Sequence, residues 1–338
     1  MPRAPNDATD EEALIAEYWA PLAAGFEGAY GLKDDCATIA PPPGHEFVVT
    51  TDALIEGVHF FPAADAADVG WKALAVNVSD LIAKGATPLA YVLSIALPRI
   101  DRAWLANFRT GLAEAQGAFG CPLAGGDTDR TPGPIAVSIT AFGTVPKGCM
   151  VQRATAQPND LVYVSGTIGD ATLGLALRRE PHLRSAWNLD PTACRFLETK
   201  FSRPHPPAAL APALLAYASA AMDVSDGLMK DFARLCGASE VGGRLEAARL
   251  PLSSPAKSVA AADADMLERL MSGGEDYETL ACVPPANAAQ FEQAAEQADT
   301  RVTCIGAIQP FAAGVAAIGA AGAPMTFTKT GWDHFSAR

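Results

Sequence analysis

Hydrophobic and polar positions alternate along this chain in blocks that predict strands and helices in turn. In the first part of the chain, period-two blocks predict strands over 47–51, 89–97 and 135–145. Blocks with helical spacing predict helices over 69–84 and 102–119. The alternation of strands with helices of this length is typical of an α/β domain.

A second series of elements follows a polar, Pro- and Gly-containing stretch near 146–155. It predicts strands over 161–164, 278–283, 302–308 and 315–318, and helices over 171–179, 208–219 and 286–298. A further helix is predicted after Asp226, with Ser225 as its N-cap. We therefore expect two domains, 10–148 and 149–338, which also suits the length of 338 residues.

The predicted helix 69–84 carries two separate lines of residues. Its apolar stripe consists of Trp71, Leu74, Ala75, Val78, Leu81 and Ile82. Asn77, Asp80 and Lys84 follow a different line, so Asp80 points away from the stripe. A solvated face would explain this position, but the apolar residues around Asp80 favour a cleft.

Acidic residues recur among small residues at five places near the predicted strand ends. These are Asp34-Asp35, Thr50-Thr51-Asp52, Asn77-Val78-Ser79-Asp80, Gly125-Gly126-Asp127 and Asp223-Val224-Ser225-Asp226-Gly227. Each acid alone could form a turn or cap a helix. Three of them, however, follow an apolar run that reads as a buried strand: 47–49 before Asp52, 123–124 before Asp127 and 220–222 before Asp223. Strand ends are where α/β proteins place ligands.

Such a group of acids predicts a multi-metal site. Two carboxylates about 4 Å apart repel by roughly 4 kcal/mol at an effective dielectric constant of 20, so a pocket that gathers them needs cations or protons. The ligands are hard oxygens, with no His or Cys grouped among them, which favours Mg²⁺.

Composition and charge exclude several classes of protein. The formal net charge of −13, without a basic run, disfavours nonspecific binding to nucleic acid. The polar, acidic start of the sequence is unlike a signal peptide, and no stretch is long and apolar enough to cross a membrane. We expect a cytoplasmic protein. The seven cysteines form no C-x-x-C pair and are expected to be reduced core thiols, with Cys36 the best candidate for the less favoured catalytic role.

The usual phosphate-binding loops are missing from the sequence. It contains neither G-x-x-x-x-G-K-[ST] nor G-x-G-x-x-G. A nucleotide would therefore have to be held chiefly through metal ions that bridge Asp side chains to its phosphates.

Seven segments in order resemble the thiamine-monophosphate kinases, whose superfamily also holds aminoimidazole ribonucleotide synthetase, selenophosphate synthetase and a hydrogenase-maturation protein. They are Asp34-Asp35-Cys36-Ala37, Thr50-Thr51-Asp52 with Gly57-Val58-His59-Phe60, Lys72 to Asp80, Gly125-Gly126-Asp127-Thr128, Asp223 to Leu228, Ser272 to Glu278, and Gly331-Trp332-Asp333-His334-Phe335. The resemblance covers nearly the whole chain, and the ordered set is highly specific.

The resemblance implies a fold and an activity. The fold is that of aminoimidazole ribonucleotide synthetase: an N-terminal α/β domain whose strands form a shared β-barrel at a homodimer interface, and a C-terminal α+β domain with a mostly antiparallel sheet. The activity is transfer of the γ-phosphoryl of ATP to thiamine monophosphate, giving thiamine diphosphate, with several Mg²⁺ ions and no covalent intermediate.

The resemblance also implies roles for individual residues. Metal ligands would be Asp35, Thr50, Thr51, Asp52, Asp80, Asp127, Asp223 and Asp226, with Asp52, Asp80 and Asp127 assisting the reaction. Gly126, Asp127, Arg153 and Ser225 would contact ATP, and His59, Glu275 and Trp332 would contact thiamine monophosphate. Neither nucleic acid nor a membrane is expected as a partner.

Other interpretations of these residues stay open at this stage. His59 could be a core histidine, Trp332 could pin the C-terminal segment, and Arg153 could be a solvated charge. Lys33 stands where the family usually has glycine, which makes Asp35 the least secure metal ligand. Alternatives for the whole chain are a hydrogenase-maturation or selenophosphate synthetase-like enzyme, or a non-catalytic nucleotide-binding regulator. The missing N-terminal Cys-Lys pair, the absent C-terminal cysteine and the complete acid set argue against them.

Overall fold

The computed structural model describes residues 11–263 and 265–333. The chain forms two compact units, the first from Met1–Val78 and Pro88–Thr144 and the second from Ser79–Thr87 and Val145–Arg338. Residue 10, where the predicted first domain starts, and His334-Phe335 of the closing motif lie outside the described residues.

The first unit contains an open four-stranded sheet in the order β1-β4-β2-β3. Its strands are β1 (His45–Ile55), β2 (Thr87–Leu97), β3 (Leu123–Arg130) and β4 (Ala136–Pro146), and β2 and β3 run parallel. Its helices are α1 (Glu11–Leu14), α2 (Ala66–Ala83) and α3 (Arg102–Phe119), with π-helical Ile15–Trp19 and 3₁₀ segments Ala20–Ala23 and Glu27–Leu32. α2 begins in the first unit, and its part from Ser79 onward belongs to the second.

Helix α3 has the bounds predicted for it, and a local signal marks each end. The Asp101 side chain accepts a hydrogen bond from Trp104 N at 3.1 Å, and Gly120 ends the helix in the left-handed conformation. Leu105, Phe108 and Leu112 follow one another at helical spacing and are all buried. Local capping and an apolar stripe therefore agree on the same bounds.

The second unit contains a six-stranded sheet in the order β10-β7-β9-β5-β8-β6. Its strands are β5 (Leu161–Ser165), β6 (Ala220–Val224), β7 (Gly242–Glu246), β8 (Glu278–Val283), β9 (Val302–Gln309) and β10 (Val315–Ile318). The pair β10–β7 is parallel, and the other four pairings are antiparallel. This mostly antiparallel sheet matches the expectation for the C-terminal domain.

Helices cover both faces of that sheet. The helices of this unit are α4 (Asp170–Arg179), α5 (Leu183–Ala186), α6 (Pro191–Ser202), α7 (Ala211–Tyr217), α8 (Leu228–Ala238), α9 (Ser254–Ala262), α10 (Met266–Ser272) and α11 (Ala288–Gln297). Short 3₁₀ segments lie at Ala208–Leu210, Ala247–Arg249, Pro285–Asn287 and Phe311–Ala313. Val162 and Val164 pack with Phe232 of α8, whereas Tyr163 packs on the other face with Phe291 of α11. A strand buried on both faces reads as a continuous apolar run, as 161–164 does.

The structure corrects three local predictions about the acidic segments. Asp52 lies inside β1, Asp127 inside β3 and Asp223 inside β6, so none of them follows the end of its strand. β1 and β3 are the two edge strands of their sheet, and edge strands tolerate the polar Thr, Asp and Gly residues that made them look shorter. Among the described residues, no helix combines the length and the apolar character that a membrane span needs.

Candidate functional site

A cavity of about 280 Å³ in the first unit gathers two of the acidic segments. Asp34 and Asp35 line it from one side, and Gly126 and Asp127 of β3 line it from another. Apolar side chains, among them Trp19, Leu93 and Leu123, share the lining with the polar residues Glu11, Cys36 and Thr128. A pocket that combines apolar side chains with several carboxylates is typical of a binding site for an organic ligand with a charged end.

Gly126 allows β3 to approach β2 at the wall of this cavity. A Cβ at Gly126 would lie 1.9 Å from the carbonyl oxygen of Leu93, the residue that faces it on β2. A Cβ at Gly125 would meet no atom within 4 Å. The glycine at 126 is thus required by packing, and it puts the exposed side chain of Asp127 at the cavity.

β1 carries the Thr50-Thr51-Asp52 segment. The main-chain amide of Asp52 donates to Oδ1 of buried Asn77 at 2.9 Å, and Nδ2 of Asn77 donates to the carbonyl of Ala73 at 3.0 Å. Thr51 Oγ1 donates to the carbonyl of Ile139 at 3.1 Å and is 3.0 Å from Thr140 Oγ1. Helix α2 therefore fixes the backbone at Asp52, whose side chain is exposed.

His59 is held by the end of β1. Its Nδ1 accepts a hydrogen bond from the amide of Ile55 at 2.9 Å, and its carbonyl accepts one from Lys72 Nζ at 3.2 Å. Because Nδ1 is an acceptor, the neutral ring carries its proton on Nε2. The half-buried ring therefore has its N–H at Nε2 in the neutral form, and its contact with thiamine monophosphate stays a prediction.

In the second unit, the loop after β6 meets the Gly-Gly-Glu-Asp-Tyr segment. The amide of Glu275 donates to the carbonyl of Ser225, and the amide of Tyr277 donates to the carbonyl of Val224, both at 2.8 Å. Glu275 and Tyr277 have φ angles of 80° and 51°, in the left-handed region that side chains other than Gly seldom adopt. Two backbone hydrogen bonds thus hold a strained segment that puts Glu275 beside Ser225.

Asp231 holds the Ser225-Asp226 loop from the other side. Its Oδ2 accepts hydrogen bonds from the amides of Ser225 and Asp226 at 3.1 and 2.9 Å. Helix α8 begins at Leu228 with Gly227 at its N-cap, so the prediction that Ser225 caps it is wrong. Burial raises the pKa of Asp231 to about 6. Sequence reasoning missed Asp231, although an acid in the first turn of a helix is a recognisable capping signal.

Asp226 is paired with two cations of helix α8. Its Oδ2 lies 2.6 Å from Arg234 Nη1 and 3.2 Å from Lys230 Nζ. The main-chain amide of Trp332 donates to the carbonyl of Asp226 at 2.9 Å. The structure therefore brings together four of the residues predicted for the site: Ser225, Asp226, Glu275 and Trp332.

Asp80 and Asp223 share the surroundings of Lys84. Ser79 Oγ donates to Asp223 Oδ2 at 3.0 Å, and Lys84 Nζ donates to the carbonyl of Ala221 at 2.7 Å. Burial lowers the pKa of Lys84, while the carboxylates of Asp223 and Asp80 act in the opposite direction. The charge of exposed Arg153 also reaches Lys84 and lowers its pKa. Lys84 thus offsets part of the negative charge of this acidic pair.

Sequence reasoning also missed the structural role of Asp276, the half-buried acid next to Glu275. Asp276 accepts hydrogen bonds from the amides of Gly169 and Ala171 at 2.9 and 3.4 Å, where helix α4 begins. Burial raises the pKa of Asp276 and that of its neighbour Glu278. The contact joins residues more than 100 positions apart, and only the Asp-Tyr pair in a glycine segment hinted at it.

The donor set of the predicted metal ligands consists of carboxylate and hydroxyl oxygens, which suits Mg²⁺. Within residues 11–263 and 265–333, no three His, Cys, Asp or Glu side chains are grouped so that they alone could hold a metal ion. Mg²⁺ is usually held by one or two carboxylates together with substrate phosphates, so these residues fit a metal that arrives with a nucleotide.

Two family models match this chain. AIR synthase related protein, N-terminal domain, matches residues 33–145, and AIR synthase related protein, C-terminal domain, matches residues 157–314. The first match includes Asp34, Asp35, Gly126 and Asp127 of the cavity. The second includes Ser225, Asp226 and Glu275, but it ends before Trp332.

Relatives extend the match to nearly the full length. Thiamine-monophosphate kinase of Escherichia coli K12 is 37% identical over 331 residues, which are 97% of this chain and 99% of the relative. The crystal structure of thiamine-monophosphate kinase from Stenotrophomonas maltophilia K279a has a TM-score of 0.77 at 36% identity, over 85% of this chain and 89% of the other. A structure described as AaThiL complexed with AMPPCP and TMP has a TM-score of 0.74 at 29% identity, over 98% and 99%. This chain therefore has both AIR synthase related domains and belongs to the thiamine-monophosphate kinases.

Proposed function

We propose that this protein transfers the γ-phosphoryl group of ATP to thiamine monophosphate, giving thiamine diphosphate and ADP. The observation that carries the proposal is the 37% identity to thiamine-monophosphate kinase over 97% of the chain. A solved relative complexed with AMPPCP, a non-hydrolysable ATP analogue, and with TMP supports the same pair of substrates.

On the donor side, the first unit would contribute the cavity walled by Gly126 and Asp127. Its apolar lining suits an adenine ring, and its acids at Asp35 and Asp127 suit metal-bound phosphates. Asp52, Thr50 and Thr51 on β1 are the further ligands we propose for this unit. The second unit would contribute Ser225 and Arg153 to ATP, because a guanidinium fork matches phosphate oxygens.

On the acceptor side, Glu275 and Trp332 would contact the cationic and aromatic parts of thiamine monophosphate. A carboxylate and an aromatic face both attract a thiazolium ring. His59 would donate from Nε2 to the phosphate of the acceptor, since its Nδ1 is occupied by the amide of Ile55.

We propose that Asp35, Asp52, Asp80, Asp127, Asp223 and Asp226, with Thr50 and Thr51, hold several Mg²⁺ ions. When bound, these ions would offset the negative charge of donor and acceptor, which otherwise repel each other. The protein would supply positioning and charge compensation, and no side chain would act as a nucleophile. In this structure the charge of Asp226 is already compensated by Arg234 and Lys230. A Mg²⁺ ion that binds to Asp226 would therefore compete with these two side chains.

The assignment of nucleotide binding and dimerisation to residues 10–148 and of acceptor contacts to residues 149–338 remains a prediction. A homodimer with a shared barrel is supported by β1, an edge strand whose outer face exposes Phe47, Val49 and Ile55. Light scattering of the purified protein tests this part: a dimer that Val49→Glu converts to monomer is expected, and a wild-type monomer would contradict it.

One assay tests the reaction itself. The purified protein is incubated with ATP, Mg²⁺ and, in separate reactions, thiamine, thiamine monophosphate and aminoimidazole ribonucleotide precursors, and products are identified by mass. Thiamine diphosphate is expected from the monophosphate alone. Phosphorylation of free thiamine but not of its monophosphate would refute the proposal.

A further inference from the structure

Lys230 contacts both the carboxylate of Asp226 and the main chain at Trp332. It lies in the first turn of α8, four residues after Asp226, with Nζ 3.2 Å from Asp226 Oδ2. The same Nζ donates a hydrogen bond to the carbonyl oxygen of Trp332. Because the amide of Trp332 donates to the carbonyl of Asp226, both main-chain polar groups of Trp332 are bound by this turn of the chain.

Gly331 brings the C-terminal segment directly onto the aliphatic part of Lys230. A Cβ at Gly331 would lie 2.4 Å from Lys230 Cβ, 2.6 Å from Lys230 Cδ and 2.7 Å from the carbonyl oxygen of Asp226. Any other side chain at this position would push the segment away from α8. The contact between residues 230 and 331 is therefore a close backbone approach and not a loose surface encounter.

The segment that leads to Trp332 is anchored at two earlier points. The amide of Met325 donates to the carbonyl of Ala317 at 2.8 Å, and the amide of Thr328 donates to Glu268 Oε1 at 2.5 Å. Met325 and Phe327 also pack against the core of the second unit. With its start fixed in this way, the position of the Trp332 ring depends on how the segment ends at Asp226 and Lys230.

Arg234 provides a contrast on the same helix. It also pairs with Asp226, at 2.6 Å, but its second partner is Asp231 Oδ1 at 3.0 Å. Arg234 thus belongs to the support of the Ser225-Asp226 loop, whereas Lys230 joins that loop to the C-terminal segment.

We propose that Lys230 is a positioning residue for the acceptor. By binding the Asp226 carboxylate and the Trp332 carbonyl at once, its ammonium group fixes the ring of Trp332 where thiamine monophosphate binds. The inference rests on the proposed function and adds to it a residue that links the charge of Asp226 to the acceptor pocket.

The test compares Lys230→Met with two further variants in steady-state kinetics with ATP, Mg²⁺ and thiamine monophosphate. Methionine keeps the aliphatic packing under Gly331 and removes the ammonium group. We expect the KM for thiamine monophosphate to rise roughly tenfold, which corresponds to the loss of one charge-assisted hydrogen bond, while the KM for ATP stays within about twofold. Gly331→Ala should reproduce this pattern because it displaces the same segment from the opposite side.

Arg234→Met is the matched control, because it removes a cation from Asp226 without touching the Trp332 contact. Turnover can fall in this variant because the Ser225-Asp226 loop loses a support, but its KM for thiamine monophosphate should rise less than that of Lys230→Met. An unchanged KM for thiamine monophosphate in Lys230→Met, or equal increases in both KM values, would overturn the inference. If Lys230→Met does not fold, Gly331→Ala takes its place, and an unchanged KM for thiamine monophosphate in that variant would overturn the inference. A wild-type enzyme with no turnover would instead refute the proposed function, so the two failures are distinguishable.

Discussion

The side-chain oxygen of Asn77, a fully buried residue, accepts a hydrogen bond from the main-chain amide of Asp52 at 2.9 Å. Because Nδ2 of Asn77 is tied to Ala73 O, the amide cannot turn away without breaking a second hydrogen bond. Helix α2 therefore determines where edge strand β1 presents Asp52.

Asn77→Ala tests this relationship. The substitution leaves the Asp52 amide without its acceptor, so the free energy of unfolding should fall by about 1–3 kcal/mol, and turnover should fall as Asp52 shifts. Urea unfolding and product formation measure the two effects. Thr110→Ala removes a comparable hydrogen bond to Ala106 O on the exposed side of α3 and should change stability by less than about 0.5 kcal/mol. Equal losses in both variants would contradict a special role for Asn77.

Asp127→Asn should leave the fold intact and nearly abolish thiamine diphosphate formation. The side chain is exposed at the cavity, so its replacement by a similar shape costs little stability but weakens a proposed metal ligand. Product formation and thermal unfolding are measured together. Asp129→Asn, two residues further along β3, is the control and should retain most of the turnover. Normal turnover in Asp127→Asn would show that this carboxylate is not a metal ligand.

Gly126→Ala and Gly125→Ala form a second matched pair. The Cβ at 126 would collide with Leu93 O at 1.9 Å, so β3 must move from β2, and the free energy of unfolding should fall by more than about 2 kcal/mol. The Cβ at 125 meets nothing within 4 Å, so Gly125→Ala should cost less than about 1 kcal/mol. Chemical unfolding of both variants decides, and similar stabilities would mean that the two strands are not held as closely as described.

The raised pKa of Asp231 predicts a specific dependence of stability on pH. The pKa of Asp231 is about 6 in the native state and 3.8 in the unfolded chain. Between these two pH values, Asp231 binds more protons in the folded protein than in the unfolded chain. The contribution of Asp231 to stability is therefore present below pH 3.8 and is lost as pH rises through about 6, by roughly 3 kcal/mol.

Urea unfolding of wild type and Asp231→Asn from pH 4 to pH 7 measures this contribution. Other acids with a raised pKa, such as Asp276, act in the same direction in both proteins, so the difference between the two curves isolates Asp231. The wild-type curve should fall more steeply than that of the variant across the window. Parallel curves would contradict the prediction.

Local signals predicted much of the fold. α3 is bounded by its own cap and its own glycine, and its bounds are confirmed residue by residue. The bounds of β8, a fully buried strand, and of β10, a short apolar edge strand, are confirmed in the same way. β1 and β3 were predicted too short because both are edge strands that continue through polar residues. Nothing in the sequence of such a strand indicates that its polar part pairs with a neighbouring strand.

The site was predicted through the resemblance more than through local pattern. Acidic segments were recognisable, but the contacts that hold them come from distant parts of the chain. Asn77 reaches Asp52 across 25 residues, Ser79 reaches Asp223 across 144, and Lys230 reaches Trp332 across 102. Such pairs obey no helical or strand period, so spacing alone could not reveal them.

The membership of residues Ser79–Thr87 in the second unit has a practical consequence for dissecting the protein. A gene fragment that starts at Val145 would encode the whole six-stranded sheet and still lack two polar anchors of strand β6, the hydroxyl that binds Asp223 and the ammonium group that binds Ala221 O. Expression of the halves as separate polypeptides would therefore divide one folding unit between them, and a peptide of residues 66–87, which contains helix α2, supplied in trans would be needed to restore it.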